Sequence, residues 1–252
     1  MKQIMSKSRL AIVLSGLEGF YEPKVKQEQY LMDSEIGASM LWNAYLLKDI
    51  EGKVIADLGC GTGLLGIGSL LLGAKYVFFV DSDKKALETA KNNISKMQKH
   101  FWDARKSGNC ERVRVDKRAK GSFRIRLLTR ISQISDISKL KSEGYSFGKP
   151  EFICKDIGKL ELKVDVVIQN PPFGTKVKHN DIFFLENALK IAPIVYSFHK
   201  SETKGFLHLF SAKKNAKITH IWDFKFPLKA TFSFHRRQIH RINVSCLRFE
   251  KK

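Results

Sequence analysis

Acidic side chains, paired cysteines and long apolar runs are all scarce in this 252-residue chain. Asp and Glu number 25 against 45 Lys and Arg, which leaves a formal charge of +20. So large an imbalance favours a polyanionic partner, RNA or DNA first, and argues against a protein substrate. The four cysteines, Cys60, Cys110, Cys154 and Cys246, lie far apart and form no CxxC pair. Zinc sites and disulfide frameworks need closer spacing, so reduced, independent thiols and no bound metal are expected. No stretch approaches the roughly 18–20 apolar residues of a membrane span. Residues Met1 to Lys7 lack the apolar core and small-residue cleavage site of a secretory signal. The expected location is cytoplasmic, with no membrane partner.

What is present suits a single α/β domain over residues 1–252. Hydrophobic residues make up 43%, an ordinary share for a folded protein. Residues 1–50 read as a helical extension. Leu10, Val13, Leu14 and Leu17 share one helix face, and Ile36, Met40, Leu41, Tyr45 and Leu47 share another over Asp33 to Lys48, with Ser34 as N-cap. Strands and helices then alternate: a strand to Ala56, a helix Leu64 to Leu72 ended by Gly73, a strand Tyr76 to Val80, and a helix Lys84 to Met97. That alternation marks parallel βαβ units. Residues 100–149 break it. They are basic, include Arg112 to Arg118 and Arg124 to Arg130, and read as an insertion with a strand over Ser122 to Leu128. The pattern resumes at Phe152 to Cys154, Val164 to Ile168, a helix Asp181 to Ala192 and a strand Ile194 to Ser197. It ends with a helix Thr203 to Ala212 and two antiparallel strands, Ile218 to Phe226 and Ile239 to Phe249. The count is seven strands, mostly parallel, with an antiparallel last strand.

The first strand runs into Asp57-Leu58-Gly59-Cys60-Gly61-Thr62-Gly63, and a helix follows. Glycines let the backbone turn sharply and approach a ligand, and the helix start presents free N–H groups. Asp81 ends the second strand, about twenty residues beyond the loop, where a carboxylate accepts from ribose hydroxyls. A dinucleotide loop seldom opens on an acid. Asp57 does so here, in the manner of class I methyltransferases, which must also hold a methionine ammonium. Asp156, after the third strand, is suited to accept from the cofactor's adenine amino group or, alternatively, to cap the turn that follows. The implied cofactor is S-adenosyl-L-methionine.

After Val164 to Ile168 comes Asn170-Pro171-Pro172-Phe173. An exocyclic adenine nitrogen is a poor nucleophile because its lone pair is delocalised into the ring. The Asn170 side-chain oxygen and the Pro171 carbonyl can accept both of its N–H bonds and turn the lone pair outward. Pro172 stiffens the loop by fixing φ. Phe173 offers a ring for base stacking, worth about 1–3 kcal/mol in single-strand binders. These four residues are the expected catalytic set. His199 and Lys200, after the fifth strand, and the cluster Phe234, His235, Arg236 and Arg237 are expected RNA contacts.

The chain resembles the methyltransferase-like protein five family and its archaeal relatives. The resemblance rests on Leu17-Glu18-Gly19-Phe20 with Pro23-Lys24, Glu28-Gln29-Tyr30, Asn170 to Lys176, Val195 to Ser201, Pro227 and Phe234 to Arg237. It implies a class I, Rossmann-like fold and N6-adenosine methylation of small-subunit ribosomal RNA. It also implies a small zinc-containing activator subunit that joins its sheet edge to that of the enzyme. Cofactor contacts would come from Gln29, Gly59, Thr62, Leu64, Asp81, Asp156 and Ile157, and Met32, Asp57 and Gly61 of the same segments are expected to join them. Where the family reads Gln-Tyr-Pro-Thr, this chain has Gln29-Tyr30-Leu31-Met32, so Met32 cannot donate the hydroxyl bond of a threonine. Three other activities remain open from the motifs: DNA adenine methylation, protein glutamine methylation, and RNA binding without catalysis.

Overall fold

The five residues Val54–Leu58 (β1) alternate between two hydrophobic clusters, and the rest of the architecture is arranged around them. Ile55 belongs to one cluster; Ala56 and Leu58 belong to the other. A strand apolar on both faces needs helices on both sides. The computed structural model describes residues 5–21, 29, 31–106, 147–173, 180–228 and 240–252. In chain order the elements are α1 (Lys7–Ser15), α2 (Ser34–Leu46), β1, α3 (Leu64–Leu71), β2 (Tyr76–Asp81), α4 (Lys84–Lys106), β3 (Lys149–Cys154), β4 (Val166–Gln169), α5 (Asn180–Ile191), β5 (Ile194–Lys200), α6 (Lys204–Lys213), β6 (Ala216–Leu228) and β7 (His240–Lys251).

The seven strands form one sheet in the order β3-β2-β1-β4-β5-β7-β6. Pairing is parallel from β3 to β5, and β7 runs antiparallel to both β5 and β6. Helices α1 to α4 pack with the cluster on one face, and α5 and α6 with that on the other. The chain moves outward from β1 to β3, then returns to place β4 on the other side of β1. Ligands in such sheets bind beyond the carboxyl ends of the strands at this reversal.

Local chemistry explains most boundaries and corrects some expectations. Asp33, not Ser34, caps α2, its Oδ1 accepting from the Glu35 and Ile36 N–H groups. Two neighbouring cap formers are indistinguishable by residue type; the extended backbone at Asp33 decides. The same helix stops at Leu46, two residues short of Lys48, because Lys48 takes a left-handed φ of 63°. Helix α4 runs past Met97 to Lys106, into the segment read as insertion. The expected strand Ser122 to Leu128 lies outside the described residues. Helix α3 is buried along its whole length. A Cβ on Gly66 would sit 2.3 Å from the Phe79 ring, so the bare backbone lets α3 press onto β2. Cys60 and Cys246 are buried free thiols and Cys154 an exposed one. Among the described residues, no helix is long and apolar enough to cross a membrane.

A buried polar knot ties the end of α2 to the antiparallel side of the sheet. Tyr196 Oη donates to Asp49 Oδ2 at 2.6 Å, and Arg248 Nε donates to the same oxygen at 2.8 Å. Arg248 Nη1 also donates to Thr219 Oγ1 and Glu250 Oε2. Burial, reinforced by donation to Asp49, pushes the Tyr196 hydroxyl far above its ordinary range. Removing one member of a buried charge pair leaves the other unpaired at a cost of about 3–5 kcal/mol. Arg248→Met should therefore lower unfolding stability by roughly 3 kcal/mol in urea titrations. A loss below about 1 kcal/mol would show that Asp49 is served well enough by Tyr196 alone.

Candidate active site

The register of β1 on β4 sets Leu58 opposite Gln169. The glycine loop begins at the next residue of one strand, and Asn170 is the next residue of the other. Two motifs far apart in sequence thus start side by side at the carboxyl edge of the sheet.

The loop is fastened to β2. Gly59 and Cys60 donate their N–H groups to the Val80 carbonyl at 2.8 and 3.0 Å, and Gly61 N–H donates to Asp81 Oδ2 at 2.9 Å. Asp57 reaches forward to accept from the Gly66 N–H at 2.8 Å, which holds the start of α3 against the loop. Asn93 of α4 donates to the carbonyls of both Thr62 and Glu18, and its Oδ1 accepts from the Glu18 N–H. The N-terminal segment is thereby joined to the loop, and Lys96 adds an ion pair to Glu18. Gln29 Nε2 donates to Asp83 Oδ2 at 2.9 Å.

These elements surround a cavity of about 330 Å³. Gln29, Met32, Asp57, Gly59, Gly61, Thr62, Leu64, Asp81, Asp156 and Ile157, all the cofactor residues expected from the sequence, lie on its wall. Asn170 and Pro172 lie on it too. Pro171, between Asn170 and Pro172, is buried. Phe173 is only 7% exposed, and its ring packs edge-to-face on Phe226 at 5.9 Å. Phe226 of β6 thus packs beside the motif.

His199 is a second correction. It is fully buried, with Nε2 2.8 Å from Ser197 Oγ and Nδ1 3.1 Å from Asp181 Oδ2, and has no surface to offer a phosphate. The strand that carries it lies inside the sheet, between β4 and β7. Lys200, one residue on, keeps a partly exposed side chain, 4.0 Å from Glu202. Phe234, His235, Arg236 and Arg237 lie outside the described residues. Asp156 both lines the cavity and caps the turn Ile157–Lys159, its Oδ1 accepting from the Gly158 N–H at 2.8 Å.

The cavity has walls that motif reading missed. Phe183 and Phe184 in the first turns of α5 close one side, and Phe20 another. A Cβ on Gly59 would lie 2.9 Å from the Phe184 ring, and one on Gly61 2.9 Å from the Phe20 ring. Phe20 falls within a segment that carries the family resemblance. Phe183 and Phe184 give no signal, since paired phenylalanines in a helix look like ordinary core.

The residues present fit S-adenosyl-L-methionine. The carboxyls of buried Asp57 and half-buried Asp81 suit a cationic ligand, Gly59 and Gly61 allow close backbone approach, and Met32, Leu64, Ile157 and Phe184 form apolar walls. Asp81 accepts from Gly61 through Oδ2 and from Asp83 through Oδ1, and a carboxylate has acceptor capacity beyond these two for a ligand hydroxyl. Burial pushes the Asp57 carboxyl up to about 7, helped by the nearby Asp81 charge and opposed by the Gly66 bond. Asp81 is raised too, first by burial.

The chain's likeness to known proteins agrees with this geometry. The family model described as ribosomal protein L11 methyltransferase (PrmA) matches residues 39–106, the part that carries the glycine loop. Over nearly the whole chain, similarity extends to protein MJ0284 of Methanocaldococcus jannaschii, 33% identical over 98% of this chain and 95% of that one. The rRNA N(6)-adenosine-methyltransferase Mettl5 of Drosophila melanogaster is 31% identical over 96% of this chain and 95% of its own. The crystal structure of PH1948 from Pyrococcus horikoshii, a proposed RNA methyltransferase, superposes with a TM-score of 0.74 at 35% identity, covering 98% of each chain.

A stability test follows from Asp57. Its folded-state pKa of about 7 lies above the unfolded value, so the folded form holds an extra proton at intermediate pH. Stability from this group is greatest at low pH and falls as pH rises through the unfolded pKa, about 3.9, towards 7. Asp57→Asn keeps an acceptor for Gly66 but cannot ionise. Without ligand, the variant should gain on the natural protein between pH 5 and 7 and hold a constant lead above that, read by thermal melting. A lead independent of pH would refute the buried-acid assignment. A second test concerns Gly61, whose φ is +54°. Gly61→Ala should cost about 1–2 kcal/mol in backbone strain and weaken cofactor binding in calorimetry.

The sheet order, the joined motifs and full-length identity with rRNA N(6)-adenosine-methyltransferases lead to one assignment: the chain belongs to the METTL5 family and is an S-adenosyl-L-methionine-dependent methyltransferase of class I fold.

Proposed function

We propose that this chain methylates N6 of an adenosine in small-subunit ribosomal RNA, together with a small zinc-containing activator subunit. The observation that carries the reading is the presence of Asn170 and Asp81 on the wall of one cavity. The formal charge of +20 supports a polyanionic substrate. Full-length relatives from fly and zebrafish bear the name rRNA N(6)-adenosine-methyltransferase, which supports RNA over DNA or protein. Likeness to the protein-modifying PrmA ends at residue 106, before the Asn-Pro-Pro-Phe segment, and so says nothing against this.

Bound S-adenosyl-L-methionine supplies a methyl group already activated by its positive sulfur. The work left to the protein is to hold the acceptor. Asn170 Oδ1 and the Pro171 carbonyl accept the two N–H bonds of the target amine, which frees its lone pair for attack. Alignment of this kind contributes roughly 7–11 kcal/mol towards the barrier. Phe173 anchors the motif to the core through Phe226. A base held in a helix must leave its stack to enter such a cavity. Lys200 and the segment Phe234 to Arg237 are assigned to the RNA backbone and neighbouring bases.

The test is methyl transfer from labelled cofactor, with and without an activator subunit, to ribosomal RNA, DNA or total protein. Label in N6-methyladenosine of the RNA is the expected result; label confined to deoxyadenosine or glutamine would overturn the substrate. Asn170→Ala should reduce transfer by about 100-fold or more while cofactor affinity stays within about twofold. Normal transfer by that variant would remove Asn170 from the mechanism.

A further inference from the structure

Directly behind the Asn170 motif lies a line of polar side chains that the reaction itself does not use. Gln169 of β4 pairs in register with Ser197 of β5. Gln169 Nε2 lies 2.9 Å from Ser197 Oγ, Ser197 Oγ lies 2.8 Å from His199 Nε2, and His199 Nδ1 lies 3.1 Å from Asp181 Oδ2. Gln169, Ser197 and His199 are all fully buried, and the Asp181 side chain is 14% exposed. Ser197 and His199 are two apart on one strand, so both point to the α5 side of the sheet.

Asp181 fixes the donor at one end of the line. A carboxylate only accepts, so His199 carries its proton on Nδ1 and donates it to Asp181. Nε2 faces the Ser197 hydroxyl, whose oxygen accepts from the Gln169 amide. Burial works to raise the Asp181 carboxyl, but the hydrogen bond it accepts from His199 holds it below the usual range. Gln169 pays for its place: among the described residues Oε1 is buried with no hydrogen-bond partner. An apolar residue would fill that position without such a cost. The amide's one visible gain is its bond to Ser197.

Position along the chain gives the line its purpose. The chain leaves β4 at Gln169, immediately before Asn170, and enters α5 at Asn180, immediately before Asp181. Both junctions are tied to the same two side chains of β5. We infer that Asp181, His199, Ser197 and Gln169 form a buried positioning relay that fixes Asn170 relative to the cofactor loop. None of the four touches the reacting atoms; each acts through Asn170. This rests on the proposed catalytic role of Asn170, and the test separates the two.

Ser197→Ala cuts the relay at its centre. In the full-length protein, amide hydrogen exchange should quicken in peptides covering residues 168–173 while peptides from β1 and β2 remain unchanged. In RNA methylation assays kcat should fall about tenfold to a hundredfold, with the cofactor dissociation constant within about twofold. Asp181→Asn, which retains an acceptor for His199, should lose less than Asp181→Ala. Unchanged exchange at residues 168–173, or a uniform rise across the sheet, would overturn the relay. Should the natural protein transfer no methyl group at all, the functional reading fails, and the exchange pattern of Ser197→Ala still decides the relay.

Discussion

One pairing register governs this molecule. With Leu58 opposite Gln169, the glycine loop and the Asn-Pro-Pro-Phe motif leave the sheet from adjacent strands at the same level. A slip of one residue would reverse every side chain of β4 between the two cores. Val166 and Ile168 would then leave the cluster they share with Ile55, and Val167 the one it shares with Ala56. The hydrophobic pattern that folds the protein therefore also sets the spacing between its two halves of chemistry.

Around that edge the protein accepts buried polarity where a ligand or a loop needs it. Asp57, Asp81, Gln169, Ser197 and His199 are all withdrawn from water or nearly so, and almost every polar atom among them finds a partner. The two acids each hold backbone N–H groups of the glycine loop or of α3, so the groups suited to a cationic cofactor also shape its pocket. Binding such a cofactor offsets a charge cost already built into the fold. The apolar side of the pocket is supplied from further away, by α5 and the N-terminal segment.

Much of this was legible in the residues because it is local. A glycine loop after an apolar strand, an acid at the end of the next strand and an acid after the third are signals confined to short windows, and all of them line the cavity. The seven strands were visible as apolar runs, and the five parallel ones follow ordinary βαβ winding. What escaped depends on tertiary contact. Phe173 meets Phe226 of β6 only in the folded chain; His199 looks like a surface cation, but the fold buries it. Phe183 and Phe184 become pocket walls only because α5 starts beside the loop. No one-dimensional pattern distinguishes these cases, for they rest on which helix meets which strand.

The place of β7 in the sheet has a consequence for biosynthesis. It is made after β6, yet it occupies the slot between β5 and β6. Until the ribosome has delivered it, β5 exposes an unsatisfied edge, β6 has no neighbour, and Asp49 awaits a cation nearly two hundred positions downstream. The nascent polypeptide can assemble its parallel half early, but closure of the sheet waits for β7. In that interval the open edge is the part most prone to mispairing with other chains.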